Sequence, residues 1–323
     1  MNISVVAVER QRSARCRLVQ ELIRRQLPRN GGWSHCGAQF GTEATSLALL
    51  ALHSSPSGLT VTNEDLAPLL ARQLPNGLWP AVGDKATGGN FWATAMAANT
   101  LMILGAAPAT FAASLKALVR YRPLEASWLV RLKFRLSDCQ VRFDPTKFGW
   151  AWVPATVSWV VPTSMAFITL ERAKRQGLIS GGELQNRLRL GAEMLLDRAC
   201  PEGGWNAGNA VVYGVPLRPH IDVTALALAA LRFRYELPIV RNSITWILNR
   251  IDCPSANSLA WMILAVSPYK DVRREVSPAV DIARERLASL VEDPRTIEDT
   301  STIALSALAL GIETGINPFE VRV

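Results

Sequence analysis

No apolar run in the chain reaches the roughly 18 residues that a membrane-crossing helix needs, so a spanning helix is excluded. The first ten residues lack the basic n-region of a secretory signal and are too short to be one, which predicts a cytoplasmic protein. Cysteine is scarce. Cys16, Cys36, Cys139, Cys200 and Cys253 lie far apart, form no CxxC and are odd in number. That argues against a disulfide framework and against a cysteine-rich zinc site. Alternating apolar and polar runs of strand length are missing, so no sheet is expected. The net charge is +8, yet no nucleic-acid-binding motif accompanies it, and nucleic acid is not expected as a partner.

What the chain does have is apolar bulk and helical periodicity. Hydrophobic residues make up 49% of it, enough for a large core. The basic charge is concentrated. Arg10, Arg12, Arg15, Arg17, Arg24, Arg25 and Arg29 stand against Glu21 alone. A second cluster, Lys116, Arg120, Arg122, Arg131, Lys133 and Arg135, is interleaved with Tyr121, Trp128 and Phe134. Such patches suit a solvated outer-helix face or an anionic lipid surface, so peripheral membrane contact through the outer helices is an open expectation.

The helical signals come in pairs. The first member is amphipathic and charged; the second is rich in Ala, Leu, Thr and Ser and almost uncharged. An outer helix with one wet face and an inner helix covered all round show this asymmetry. The pairs fall at residues 11–27 and 42–54, 64–74 and 91–105, 124–136 and 157–173, 182–199 and 222–235, 239–251 and 256–266, 277–292 and 300–313, with an additional helix near 109–121. Pro162 is expected to kink or restart its helix. About six helical hairpins with small-residue inner members predict an all-α, closed α/α toroid, an (α/α)6 barrel. Repeats of this size bury their faces only against neighbours, so residues 1–323 are expected to form a single domain.

The hairpins are joined by a recurring turn. Leu22, Gln26 and Gly31-Gly32-Trp33 share a spacing with Leu69, Gln73 and Gly77-Leu78-Trp79, and with Leu196, Cys200 and Gly203-Gly204-Trp205. A fourth, degenerate copy ends at Gly149-Trp150. Gly supplies positive φ at the end of the outer helix, and Trp is expected to fill the space between hairpins. These residues resemble the repeat of the squalene–hopene cyclase and protein prenyltransferase superfamily, which has the form Leu-x3-Gln, a short turn, then Gly-x-Trp. The resemblance spans the chain and implies the same toroid; it does not by itself imply one activity.

In the class II cyclases of that superfamily an Asp-x-Asp-Asp-Thr-Ala motif opens an inner helix, and its middle Asp protonates an alkene or epoxide. The matching stretch is His220-Ile221-Asp222-Val223-Thr224-Ala225. The resemblance implies Asp222 as proton donor, with His220 and Val223 in place of the flanking carboxylates. The protein prenyltransferases hold zinc at comparable positions, which fall here on His220, Asp222 and Asp299, without the family's Cys. That set implies, as an alternative, a site for Zn or another divalent metal; otherwise no cofactor is expected. Asp is also among the best N-cap residues, which suits Asp222 and Asp299, and Glu43 reads as a first-turn carboxylate.

If every such loop links an outer helix end to an inner helix start, the inner N-termini gather at one mouth and favour anions. The loops there carry Lys85, Arg142, Lys147 and Arg218. Trp92, Trp150, Trp152, Trp159, Phe167 and Trp261, with Phe91, are expected to line an apolar cavity whose aromatic faces stabilise a cation. An isoprenoid or similar lipid fits, its head at the mouth. The favoured reading is acid-initiated cyclisation by Asp222. Its alternatives are a non-catalytic lipid-binding or interaction scaffold, and prenyl transfer or hydrolysis at the metal set, for which a partner subunit is conceivable. A carbohydrate-active (α/α)6 enzyme would need Glu43, Asp222 and Asp299 facing one another across a cleft. No DDxxD motif is present, so magnesium-assisted diphosphate ionisation is not expected.

Overall fold

The computed structural model describes residues 5–28, 31–55, 61–83, 88–136, 143–313 and 315–321. Among them are thirteen α-helices and one hairpin of two-residue strands, β1 (Val211–Val212) and β2 (Val215–Pro216), which are antiparallel. The hairpin is the single departure from the all-helical expectation.

Six helices form an inner ring: α2 (Thr42–His53), α4 (Phe91–Ile103), α7 (Val160–Arg175), α9 (Ile221–Ala230), α11 (Ala256–Val266) and α13 (Thr300–Leu310). Each packs against the next, and α13 packs against α2, so the ring closes. Most of their residues are buried, as their small, uncharged composition requires. Outside lie α1 (Val5–Arg24), α3 (Asn63–Leu70), α5 (Ala112–Arg120), α8 (Gly182–Asp197), α10 (Pro238–Leu248) and α12 (Val276–Leu290). The expected α/α toroid is the fold of the protein.

Two details of the third hairpin differ from expectation. Its outer member is α5, which packs on α4, α7 and α8, whereas the segment expected to be outer, α6 (Trp128–Leu136), meets mainly the one-turn 3-10 segment Leu124–Ala126. Pro162 neither kinks nor restarts a helix, because α7 begins at Val160. Pro162 lies in the first turn, where no backbone N–H needs an intrahelical acceptor.

The Gly-x-Trp turns repeat one set of hydrogen bonds. Trp33, Trp79, Trp150 and Trp205 donate Nε1–H to the carbonyls of Leu22, Leu69, Leu118 and Leu195 at 2.6–2.8 Å. Their backbone N–H groups donate to Thr45, Thr94, Thr163 and Thr224 Oγ1 at 2.9 Å. Each of these threonines is the fourth residue of its inner helix. Gly32, Gly77 and Gly204 sit at φ +79°, +83° and +80°, which only Gly adopts without strain. Trp150 and Leu118 are 32 residues apart where the other pairs are 10 or 11 apart. The degenerate copy is therefore the same joint with an insertion that carries α6. In the last copy Cys200 N–H bonds Gly204 O as Leu27 bonds Gly32 and Leu74 bonds Leu78. Cys200 thus takes the place of those leucines, and Ala199 that of Gln26 and Gln73.

The arginine-rich face of α1 is glue. Arg24 and Arg25 clamp Glu21, Arg25 also binds the carbonyls of Ile297 and Glu298, Arg17 binds that of Glu292, and Arg15 that of Ser54. The Arg17 and Arg25 bonds to these carbonyls tie the first helix to the last hairpin, and Arg15 ties it to the end of α2.

The C-terminal segment 315–321 seals the end of the ring away from the inner N-termini. Arg172 of α7 binds the carbonyls of Pro318 and Glu320 at 2.7 and 3.0 Å, Asn99 of α4 binds that of Pro318 at 3.0 Å, and Arg232 beyond α9 binds that of Val321 at 3.2 Å. Asn317 Nδ2 binds the Leu264 carbonyl of α11 at 2.7 Å. Phe319 is left 2% exposed, its ring 4.6 Å from Trp261.

Candidate active site

The threonine joint fixes the rotation of α2, α4, α7 and α9 about their own axes. Residues two positions before those threonines must then point alike. They are Glu43, Trp92, Val161 and Asp222. Glu43 and Trp92 meet: Trp92 Nε1 donates to Glu43 Oε2 at 2.7 Å. Trp92 also lies 6.1 Å from Trp152 and 6.4 Å from Trp261, ring to ring. With Trp261 on Phe319, an aromatic column runs from the mouth to the far seal.

Glu43 is the carboxyl at the mouth whose pKa is raised. Burial pushes its pKa up, and the charge of Asp299 adds to this, while His35 and the Trp92 hydrogen bond pull the other way. His35 stands between two carboxylates, with Nε2 3.9 Å from Glu43 Oε2 and Nδ1 3.3 Å from Asp299 Oδ1. Ser301 Oγ lies 3.0 Å from the same Nδ1. The hydrogen bond to Asp299 raises the imidazole pKa above its ordinary value against the pull of burial. Asp299 is the N-cap of α13 and accepts from the Ser301 and Thr302 amides at 3.1 and 2.8 Å. Burial works to raise its pKa, but His35, Thr302 and these amides together hold it below the usual value. Glu43, His35 and Asp299 form one chain of titratable groups across the α2–α13 seam.

Asp222 is the second residue of α9, half-exposed, with no hydrogen bond or ion pair to a described residue. In the ring order α2–α4–α7–α9–α11–α13, α9 is the third neighbour of α2 either way round. Asp222 therefore faces Glu43 across the mouth, from helix axes roughly 16–20 Å apart if neighbours pack at about 8–10 Å. His220 is the exposed N-cap residue of α9, and its side chain makes no capping bond. The set His220, Asp222 and Asp299 is not gathered, since α11 stands between α9 and α13. Among the described residues no group of three or more His, Cys, Asp or Glu side chains is placed to hold a metal.

Of the aromatics expected to line a cavity, Trp92, Trp152 and Trp261 come together. Trp150 does not join them: fully buried, it is the wedge of the third joint, under the Arg187 guanidinium at 4.1 Å. Phe167 faces outward into a groove of about 370 Å³ beside Leu188, Ala192 and Phe233. Trp159 is the N-cap residue of α7, 37% exposed on the rim, and Phe91 stacks on Tyr121 at 3.9 Å. Of the mouth cations, Lys147 is paired with Asp144 and Asp197, and Arg218 is exposed. Lys85 and Arg142 lie outside the described residues, as does Cys139.

Sequence reasoning missed His35 and Phe319. A signal for the first existed: the chain has three histidines, and His35 follows a Gly-Gly-Trp turn by two residues. No pattern marked Phe319, which belongs to no repeat.

No family model matches the sequence, and no curated protein matches it. Among solved structures, the chain is similar to the type II terpene cyclase MstE from Scytonema, with 14% identity and TM-score 0.59, covering 95% of this chain and 99% of that one. It is similar to protein geranylgeranyltransferase-I of Candida albicans complexed with GGPP, with 14% identity and TM-score 0.51, covering 96% and 91%. It is also similar to Salmonella alpha-2-macroglobulin reacted with methylamine, with 16% identity and TM-score 0.50, covering 94% of this chain. This chain spans 17% of that protein's length. At such identities what is shared is the fold, the toroid expected from the Gly-x-Trp repeat.

Proposed function

We propose that the protein processes an isoprenoid or similar prenyl-type lipid by general-acid chemistry at the mouth of the toroid, with Glu43 as proton donor and Asp222 facing it as the second carboxyl group of the site. The observation that carries this reading is the Glu43 carboxyl. Its burial favours the protonated form, Trp92 aims it, and it stands at the head of an aromatic column. A carboxyl with a raised pKa is protonated more of the time but is the weaker acid for it. Its acceptor is then a polarised group, such as an epoxide or hydroxyl oxygen, rather than an isolated alkene. The faces of Trp92, Trp152 and Trp261 suit the cation that follows. His35, partly exposed and shared with Asp299, is placed to return a proton to Glu43 from solvent. Asp222 keeps the family position of the acid. Here it stands across the mouth from Glu43, placed to take up the proton that the cation releases.

The fold supports the substrate class, since a type II terpene cyclase and a GGPP-bound geranylgeranyltransferase share it. The exposed Arg218 suits an anionic head. A second reading, a non-catalytic toroid that binds lipid or another protein, is favoured by one observation: Trp261 and Phe319 fill the axis below the mouth.

The test is lipid extraction and mass spectrometry on purified wild type, Glu43→Gln and Asp222→Asn. A prenyl compound that accumulates unconverted in Glu43→Gln is the expected result. A wild type that carries no lipid and converts none, alongside variants changed only in stability, overturns the enzyme and leaves the scaffold.

A further inference from the structure

The rim of the mouth is uneven. The loops entering α2, α11 and α13 carry His35, Glu298 and Asp252 and expose no large apolar side chain among the described residues. The three consecutive sectors entering α4, α7 and α9 do the reverse. In the α7 sector, α6 exposes Trp128 (69%), Leu129 and Leu132, with Leu124 just before it. In the α9 sector the β1–β2 hairpin exposes Tyr213 (70%) and Val215, and Leu217 follows. Val153 and Trp159 lie on the loop between them. That loop is bonded to both sides: Leu124 N–H to Thr156 O at 3.1 Å, and Val160 N–H to Ala207 O at 3.0 Å. Val82, in the loop entering α4, extends the patch. Exposed apolar groups this concentrated mark an interaction surface.

The charge of this half is positive. Lys116, Arg120, Lys133 and Arg218 are exposed, with no carboxylate partner among the described residues. Of the carboxylates nearby, Glu125 is buried, Glu183 pairs with Arg122, and Asp144 and Asp197 pair with Lys147, which leaves Glu202 exposed and Asp222 half-exposed against these four cations. Both devices that carry the apolar groups are additions to the repeat. α6 lies within the insertion that separates Leu118 from Trp150, and the hairpin lengthens the loop between Trp205 and α9. Neither is needed to close the ring. The other basic cluster of the sequence, on α1, is largely consumed by bonds to α12, α13 and their loops, so it offers no comparable surface.

We infer that this half of the rim docks on an anionic lipid bilayer, with α6 lying in the interface and the hairpin tip beside it. A basic helix with Trp and Leu on its free face binds a membrane in this way, by buried apolar area together with attraction to anionic headgroups. The mouth then opens at the bilayer surface, and the half with Glu43, His35 and Asp299, whose loops expose no large apolar side chain among the described residues, stays in water. The inference deepens the lipid reading of the mouth by naming where the lipid comes from, but the docking itself requires no turnover.

The test is co-sedimentation of the full chain with vesicles of phosphatidylcholine, alone or mixed with phosphatidylglycerol. Wild type is expected to sediment with the mixed vesicles, and less so as salt screens the charge. Trp128→Ser with Leu132→Ser, and separately Tyr213→Ser with Val215→Ser, each weaken binding by about tenfold or more, whereas Ile282→Ser on the exposed face of α12 does not. Glu43→Gln sediments as wild type, so loss of the chemistry and loss of docking are read apart. Failure of wild type to sediment, or wild-type binding by both double variants, overturns the inference. So does a dimer in solution that the Trp128 variant breaks, which would make a second copy the occupant of the patch.

Discussion

Replacing Phe319 with Ala tests whether the chain plugs its own axis. The ring is 2% exposed, lies 4.6 Å from Trp261 and belongs to the main core. The backbone on either side of it, at the Pro318, Glu320 and Val321 carbonyls, is held by bonds from Asn99, Arg172 and Arg232, on or just beyond three different inner helices. The site therefore cannot collapse easily, and the cost falls in the full range for Phe→Ala in a core, about 3–5 kcal/mol. For a chain of 323 residues that lowers Tm by about 4–7 °C. The space left behind is lined by apolar groups, and such cavities stay dry and accept benzene. Benzene at about ten times its Kd returns about 1.4 kcal/mol to the variant and nothing to wild type. Urea unfolding and thermal melts with and without benzene measure both effects. A loss below about 1 kcal/mol, or equal stabilisation of both proteins by benzene, refutes the plug and the filled-axis argument for the scaffold reading with it.

Four further outcomes follow from the same geometry. Gly149→Ala places a Cβ against Thr163 Oγ1, which is held by Trp150 N–H at 2.9 Å; a loss of about 2–4 kcal/mol in urea unfolding is expected. Asp299→Ala removes the N-cap of α13 at a cost of about 1 kcal/mol and lets the His35 pKa fall back, which an NMR titration of the imidazole reads directly. The stability that His35 contributes is complete below its unfolded value of 6.5 and is lost as pH rises through its raised folded value. Glu43 acts in the same sense from 4.5 upward, and Asp299 in the opposite sense, losing its contribution as pH falls below 3.8. His35→Gln should therefore flatten the alkaline limb of stability against pH. Glu43→Gln should abolish lipid conversion, with Tm within a few degrees of wild type.

The fold was legible because its instructions are local and repeated. Small uncharged helices alternating with amphipathic ones require an inner and an outer ring, and four Gly-x-Trp turns set the joints. The third hairpin was misread because two amphipathic segments competed for one outer position. Periodicity cannot decide which of α5 and α6 packs on α7; only the Trp150–Leu118 bond does. The site was half legible. Asp222, Asp299, Trp92, Trp152 and Trp261 were named from spacing and resemblance, and the last three do gather. The partnership of Glu43 with His35 and Asp299 was hidden because it forms across the seam where the first inner helix meets the last, 264 residues apart for His35 and Asp299.

The same joint explains why such a scaffold tolerates so many mouths. The threonine at the fourth position and the tryptophan it receives fix α2, α4, α7 and α9 in rotation and height. The second position carries none of that load. It is Glu43, Trp92, Val161 and Asp222 in the four jointed hairpins, and Asn257 and Ser301 at the starts of α11 and α13, where the joint is absent. In the four jointed hairpins, side chains of unrelated chemistry thus stand at the mouth on backbones of one geometry. Chemistry can change there without disturbing closure, because the bonds that close the ring lie elsewhere. Exchanging Glu43 and Asp222, as Glu43→Asp with Asp222→Glu, should accordingly leave the fold intact while altering the reaction. If the exchanged protein lost several kcal/mol instead, the second position would be structural, and the separation of scaffold from site would fail.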